Sequence, residues 1–154
     1  NLHHEIEMVV AIGVKGKKIN KSEAHNHIFG YTVGLDLTRR DLQMEAKNKR
    51  RPWSVAKGFD HSAPCSVLHK VDEVGYLEKG RIELKVNGEI RQQGDISEMI
   101  WSVPEIISIL SEFFELCPGD LIFTGTPSGV GPIKRGDKLE GVVENLTKLE
   151  IKIV

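Results

Sequence analysis

The sequence opens with the stretch NLHHEIEMVVAIG, residues 1–13, and this stretch decides the fold. Its apolar residues alternate as in a β-strand with one apolar face: Ile6, Met8, Val10 and Ile12. The same alternation puts Glu5 and Glu7 on one face of the strand, roughly 7 Å apart. Two like charges repel at this spacing unless a positive group lies between them, and a hard divalent cation is the simplest such group. Two solvated carboxylates on an exposed face are the ordinary alternative.

A second apolar stretch, residues 28–37, carries an acid close to its end. Its sequence IFGYTVGLDL has the composition of a buried strand, and Asp36 is the only charged residue in it. A buried acid requires a partner, because burying a charge without one is costly. Asp36 therefore favours the metal interpretation of Glu5 and Glu7.

Composition limits the classes of function. The chain has 154 residues, 40% hydrophobic and 28% charged, as expected of one globular domain. Lys and Arg (21) nearly balance Asp and Glu (22), so charge gives no reason to expect nucleic acid or an anionic membrane as partner. No apolar run approaches the roughly 18 to 20 residues of a membrane helix, and no signal peptide is visible. We expect a cytoplasmic protein, or a mitochondrial one if the source is eukaryotic.

The two cysteines and the first residue give further expectations. Cys65 and Cys117 are far apart and belong to no Cys-x-x-Cys pair, so we predict neither a zinc site nor a redox motif and interpret both as small core residues. The chain enters an apparent strand at Asn1 without a methionine. We therefore expect that a segment upstream of this strand is absent from the sequence.

Local signals predict a mostly β protein with two or three helices. The hairpin signal is strong, because Asn87-Gly88 supplies the positive φ angles of a type I′ turn between two alternating segments. A helix is predicted over residues 102–114, with Ser102 as cap and an early proline. Other expected helices are Ser22–His27, capped by Ser22, and residues 42–49, preceded by a capping box over Thr38–Asp41. Further strands are expected over 29–37, 121–124, 138–144 and 149–154.

Three more segments carry polar groups that a plain scaffold does not require. Arg40 and Gln43 stand at helical spacing i to i+3, which puts them on one face near Asp36. Lys57 lies in the segment WSVAKGFD, and residues 124–131, TGTPSGVG, form a Gly-rich loop. Each of these signals is weak alone, since a lone lysine is usually exposed and a Gly-rich turn is usually only a turn.

Together, five ordered motifs closely resemble the fumarylacetoacetate hydrolase superfamily. They are Glu5–Glu7, Asp36–Gln43, Ala56–Asp60, Val86–Glu89 and Gly125–Gly131. The small acylpyruvate hydrolases of that superfamily are the most similar group, since Asn1–Glu5 and Ser102–Ser108 resemble them as well. The resemblance covers essentially the whole chain.

This resemblance implies an α+β, mostly β fold, a mixed β-sandwich roll that dimerises, with residues 1–154 forming a single catalytic domain. It implies Mg²⁺ or Mn²⁺ held by Glu5, Glu7 and Asp36, which agrees with the carboxylate argument above. It also implies that four matching residues surround the substrate, with Lys57 acting in catalysis: Arg40, Gln43, Lys57 and Thr126.

The implied activity is hydrolysis of a carbon–carbon bond in a 2,4-dioxo acid such as fumarylpyruvate or acetylpyruvate, as in aromatic catabolism. In this hypothesis Lys57 and Arg40 balance negative charge on the substrate, and water attacks the distal carbonyl. In the family a His–Glu pair on a lid that precedes the Glu-x-Glu strand activates this water. The chain begins too late to contain that pair, and we assign none of the six histidines to the role.

Two other functions remain open at this point. The same metal site would serve an oxaloacetate decarboxylase or an isomerase or tautomerase of 2-oxo acids. A noncatalytic metal-binding domain is the second alternative. Arg40, Gln43 and Lys57 argue against the latter, because a purely structural cation site does not need side chains that face a substrate.

Overall fold

The computed structural model describes residues 1–154 and contains eleven strands, four α-helices and two 3-10 helices. The strands are β1 (Leu2–His4), β2 (Ile6–Ile12), β3 (Ile28–Leu35), β4 (Thr38–Arg39), β5 (His69–Lys70), β6 (Arg81–Val86), β7 (Glu89–Asp95), β8 (Leu121–Phe123), β9 (Gly131–Pro132), β10 (Lys138–Val143) and β11 (Leu149–Lys152). The helices are α1 (Arg40–Asn48), α2 (Ser54–Lys57), α3 (Val71–Val74) and α4 (Val103–Phe113), with 3-10 helices at Lys21–His27 and Ile96–Glu98. The predicted α+β, mostly β class is confirmed.

The strands form three antiparallel sheets. Two have four strands, in the orders β5-β3-β2-β8 and β11-β10-β6-β7, and the third has the order β4-β1-β9. The two larger sheets share one hydrophobic core, to which β2 contributes Ile6 and β6 contributes Leu84. A Cβ at Gly141 of β10 would lie 2.5 Å from the Ile6 side chain. A larger residue would force Ile6 to move, so glycine allows β10 and β2 to pack closely here.

Strand β2 is buried on both faces, unlike the strand with one apolar face that the sequence predicted. Val9 and Ala11, on the face shared with Glu7, are 0% and 3% exposed. The central position of β2 between β3 and β8 explains this burial. Glu5 and Glu7 are themselves 8% and 4% exposed, so the alternative of two solvated carboxylates does not hold.

The predicted first strand is divided at Glu5, where the chain passes from one sheet into another. Strand β1 pairs with β4 and β9, whereas β2 pairs with β3 and β8. The chain makes the same change between β3 and β4, at Asp36. The amide of Asp36 donates a hydrogen bond to the carbonyl of Glu5, at 2.9 Å, and this bond holds the two junctions side by side.

Two of the three predicted helix starts are wrong. The segment around Ser22 is a 3-10 helix that begins at Lys21, with Asn20 at the N-cap and no side-chain cap bond. The box at Thr38 does not form, because Thr38 belongs to β4 and its hydroxyl donates to the Asp36 carbonyl instead.

The third start, at α4, is confirmed. The Glu105 carboxylate accepts hydrogen bonds from both the amide and the hydroxyl of Ser102, each at 2.8 Å. Cys65 and Cys117 are unpaired and only half-buried, so their interpretation as core residues is also wrong. The chain contains no helix with the length and apolar character that crossing a membrane requires.

The Asn87-Gly88 hairpin between β6 and β7 is confirmed, with φ of 53° and 84° at its two turn residues. A Cβ on Gly88 would meet no atom within 4 Å, so only backbone strain opposes a substitution there. We expect Gly88→Ala to lower the free energy of unfolding by about 1 kcal/mol and the melting temperature by about 2–4 °C. Thermal melts of Gly88→Asn provide the control, because asparagine tolerates positive φ. Equal losses in both variants would contradict the backbone argument.

Candidate metal and substrate site

Three carboxylates meet where the sheets join. One oxygen from each of Glu5, Glu7 and Asp36 lies within 4.8 Å of the others. Antiparallel pairing of β2 with β3 produces this arrangement, because Ile6 lies opposite Leu35 and the acids flank that pair. A cluster of anionic oxygens at this spacing is a donor set that suits hard divalent cations such as Mg²⁺ and Mn²⁺.

Glu7 is the most deeply buried of the three acids. Its Oε2 accepts a hydrogen bond from the Gly125 amide at 2.7 Å. Burial, together with the nearby charges of Asp36 and Glu5, raises the pKa of Glu7 to about 7 against the opposing effect of that amide. A positive charge at the cluster would oppose both effects and favour the ionised carboxylate, so the environment of Glu7 fits a bound cation.

Lys57, the last residue of α2, lies between two of the acids. Its Nζ donates to Glu5 Oε2 at 2.8 Å and to Asp36 Oδ2 at 2.5 Å. Burial opposes the charge of this ammonium, but the hydrogen bonds to Asp36 and Glu5 outweigh burial and raise the pKa of Lys57. The cluster therefore already attracts and holds one cation.

Arg40 and Gln43 lie together on α1, as their spacing predicted. The guanidinium donates to Glu5 Oε1 and to Gln43 Oε1, both at 2.5 Å, and its Nε donates to His3 Nδ1 at 3.4 Å. Burial raises the pKa of Glu5, but its hydrogen bonds to Lys57 and Arg40 prevail and lower it.

The charges of this group do not cancel when all three acids are ionised. Three carboxylates face the two cations Lys57 and Arg40, which leaves one net negative charge. A divalent cation would change the balance to one net positive charge, which an anionic ligand could then neutralise. The residues present thus fit a divalent metal together with a small carboxylic acid.

The Gly-rich loop lies against Glu7 through the amide of Gly125. Thr124, the residue before Gly125, is held in place because its hydroxyl donates a hydrogen bond to the Met8 carbonyl at 2.7 Å. Thr126 Oγ1 accepts a hydrogen bond from Gln92 Nε2 at 2.8 Å. A cavity of about 430 Å³ adjoins this loop, and apolar side chains such as Met99 and Trp101 form part of its wall.

Sequence reasoning missed Gln92, whose side chain is 1% exposed and contacts both the Thr126 loop and the strand of the acids. Its position in the hairpin explains why. A bulge shifts the register so that Ile90 pairs with Lys85 while Gln92 pairs with Leu84. The bulge turns Gln92 inward although Ile90, two residues earlier, is 53% exposed. The only sequence signal would have been a glutamine opposite a buried leucine.

Among the histidines, His3 contacts Arg40 and His4 contacts Gln92. Burial is the main reason why the pKa of each lies below its usual value. None of the other four histidines forms a hydrogen bond or ion pair with the acid cluster: His25, His27, His61 and His69.

The fold and site define a class of protein, an antiparallel β-sandwich whose sheet junction carries three carboxylates beside a lysine and an arginine. Residues 1–154 match the model of the C-terminal part of fumarylacetoacetate hydrolase, and the chain belongs to this family.

Known relatives are similar over nearly all of the chain. A fumarylpyruvate hydrolase of a Ralstonia species is 44% identical over 153 residues, 99% of this chain and 79% of its own. The mitochondrial oxaloacetate tautomerase of Mus musculus is also 44% identical, over 99% of this chain and 69% of its own. The crystal structure of fumarylpyruvate hydrolase from Pseudomonas aeruginosa in complex with Mn²⁺ and pyruvate superimposes with a TM-score of 0.98. That protein is 50% identical, and the match covers 100% of this chain and 66% of that one.

Proposed function

We propose that the protein hydrolyses a carbon–carbon bond in 2,4-dioxo acids, acylpyruvates such as fumarylpyruvate or acetylpyruvate, and releases pyruvate and a carboxylic acid. The observation that carries this proposal is the cluster of Glu5, Glu7 and Asp36 with Lys57 and Arg40 against it. The similarity to a fumarylpyruvate hydrolase with Mn²⁺ and pyruvate supports the same substrate class.

Glu5, Glu7 and Asp36 would hold Mg²⁺ or Mn²⁺. When bound, this ion supplies Lewis acidity, which lowers the energy of the negative charge that develops on a 2-oxo acid as its carbon–carbon bond breaks. The position of Lys57 between two of these acids supports this assignment, because it marks where the cluster accommodates positive charge.

The remaining side chains bind and orient the substrate. Lys57, the proposed catalytic residue, and Arg40 neutralise the substrate carboxylate and the charge that develops in the transition state. Gln43 and Thr126 fix the positions of substrate oxygens by hydrogen bonds. Arg40 holds Gln43 by a direct bond at 2.5 Å, so the two act as one unit on α1.

The wider setting of the activity is part of the proposal. Residues 1–154 would form one catalytic domain that works as a homodimer in aromatic catabolism. The proposed location is the cytoplasm, or the mitochondrion if the source is eukaryotic, and the mitochondrial relative of Mus musculus supports the latter.

Enolisation chemistry on oxaloacetate is the second candidate. The mouse relative favours it, since its name is that of an oxaloacetate tautomerase and it is as similar to this chain as the Ralstonia hydrolase. Both reactions place negative charge on a 2-oxo acid, so the residues around the metal serve either one. The choice depends on whether water reaches the distal carbonyl.

Kinetics separate the two functions, with purified protein that includes any segment preceding Asn1 in the natural chain, because the His–Glu pair that activates water in the family would lie there. We expect Mn²⁺-dependent consumption of acetylpyruvate or fumarylpyruvate, with pyruvate and the matching carboxylic acid identified by NMR. The same protein would be tested for tautomerisation and decarboxylation of oxaloacetate. Activity should disappear with a chelator and return with Mg²⁺ or Mn²⁺. A larger kcat/KM for either oxaloacetate reaction would overturn the hydrolase proposal.

A further inference from the structure

Gln92 joins the strand of the metal-site acids to the Thr126 loop. Its side chain is 1% exposed and lies on β7 opposite Leu84. All four hydrogen-bonding positions of its amide have a partner: Oε1 contacts Ile6 N (3.1 Å) and His4 Nδ1 (2.8 Å), and Nε2 contacts Thr126 Oγ1 (2.8 Å) and the Pro127 carbonyl (2.8 Å). A buried amide with every position satisfied has one fixed orientation.

Two backbone groups decide that orientation. The amide of Ile6 can only donate, so the atom facing it must be the oxygen of Gln92. The carbonyl of Pro127 can only accept, so the atom facing it must be the nitrogen. It follows that His4 Nδ1 carries the hydrogen in its contact with Gln92, and that Thr126 Oγ1 accepts in its own.

The direction of this hydrogen bond determines whether Thr126 can donate a hydrogen bond to a ligand. Because its oxygen accepts from Gln92, its hydroxyl hydrogen is not used in that bond and remains available for another acceptor. The neighbouring residue, Gly125, binds Glu7 through its amide at 2.7 Å, so Thr126 directly follows the residue that contacts a metal-site acid. We expect an oxygen of a bound 2-oxo acid to accept the hydrogen of this hydroxyl.

We propose that Gln92 is a positioning residue that fixes Thr126 as a hydrogen-bond donor to a 2-oxo acid and holds its loop against the acid strand. This inference rests on the proposed function. It assigns Gln92 a role through Thr126, without direct contact with substrate.

Gln92→Glu tests the proposal. The introduced carboxylate keeps an acceptor for Ile6 but has no hydrogen for Thr126, whose hydroxyl must then donate to the carboxylate instead. We expect the affinity for pyruvate in the presence of Mn²⁺, measured by calorimetric titration, to fall about tenfold. Thr126→Val should cause a similar loss, and Thr126→Ser should retain affinity because it keeps the hydroxyl.

The double variant separates positioning from a general structural effect. If Gln92 acts through Thr126, Gln92→Glu changes pyruvate affinity less than about twofold when Thr126→Val is already present. A full tenfold loss in that background, or no loss in either background, overturns the inference. Asn48→Asp is the matched control, because it makes the same amide-to-carboxylate change at an exposed position at the end of α1 and should leave affinity unchanged.

Separate measurements test whether each variant folds and whether the proposed function itself is correct. Thermal melts would establish that each variant folds; if Gln92→Glu does not, Gln92→Asn replaces it in the same cycle, since the shorter amide cannot span from Ile6 to Thr126. Wild-type protein that shows no Mn²⁺-dependent pyruvate binding would overturn the proposed function and this inference together. Wild-type binding with additive losses would overturn the inference alone.

Discussion

Glu7→Gln will abolish metal-dependent binding of pyruvate while leaving the fold intact. The amide side chain can still accept the hydrogen bond from Gly125, so the local geometry is preserved. The variant removes one of three negative charges from the cluster, and a neutral amide oxygen is a poorer ligand for a hard cation. We expect the affinity for Mn²⁺ to fall at least about a hundredfold. Calorimetric titration with Mn²⁺, followed by pyruvate, measures both losses.

The same variant should not destabilise the metal-free protein. Burial raises the pKa of Glu7 from its usual 4.5 to about 7. Because the pKa of Glu7 is higher in the folded protein than in the unfolded chain, the unfolded chain loses this proton at a lower pH. The wild type therefore loses stability as pH rises from 4.5 to about 7. The neutral glutamine avoids this loss. At pH 8 without metal, Glu7→Gln should therefore have a melting temperature equal to or above that of the wild type.

A matched control distinguishes the site from charge in general. Glu112→Gln removes an acid from the exposed surface of α4, where Glu112 forms no ion pair, and should change neither metal affinity nor stability. Retention of Mn²⁺ affinity by Glu7→Gln would contradict the assignment of this ligand. Unfolding of that variant without metal would show that Glu7 has a structural role.

Local patterns predicted the strands well, because period-two alternation and turn residues are properties of neighbouring residues. The strands expected at 121–124, 138–144 and 149–154 occur as β8, β10 and β11 with nearly the same bounds. The Asn87-Gly88 turn is confirmed for the same reason, since its positive φ angles suit these residue types.

Features that depend on partners distant in the chain were not predictable in this way. The break at Glu5 arises because β1 and β2 pair with different strands, which alternation within residues 1–13 does not reveal. Thr38 fails to cap α1 because pairing with His3 places it in β4. In each case tertiary pairing overrides a local preference.

In the candidate site, too, local spacing predicted some features, whereas others depend on residues distant in the chain. Spacing alone predicted that Glu5 and Glu7 share a face and that Arg40 lies beside Gln43, and the structure places both pairs accordingly. The contact of Lys57 with Glu5 spans 52 residues of sequence, and only the family resemblance singled out Lys57, as a residue near the substrate. Gln92 escaped both kinds of reasoning, because the bulge that buries it is visible only in the register of β6 and β7.

Lys57→Met will separate metal binding from turnover. The ammonium of Lys57 contacts Glu5 and Asp36 at 2.8 and 2.5 Å, so it competes with a divalent ion for the same two carboxylates. Its removal leaves three acids with Arg40 as the only cation in contact. We therefore expect Mn²⁺ affinity to be equal to or greater than that of the wild type. The substrate, in contrast, loses a charge that stabilises its transition state, and kcat should fall about 10²–10³-fold.

Lys57→Arg and Lys47→Met complete this test. The arginine variant keeps the positive charge, but a planar guanidinium does not reproduce a point charge between two carboxylates, so we expect only partial recovery of kcat. Lys47 is exposed on α1 without an ion pair, and its replacement should change neither quantity. Mn²⁺ titration and steady-state kinetics with an acylpyruvate supply the two measurements. If Mn²⁺ affinity falls in parallel with kcat, Lys57 organises the acids rather than the substrate, and an unchanged kcat would remove it from catalysis altogether.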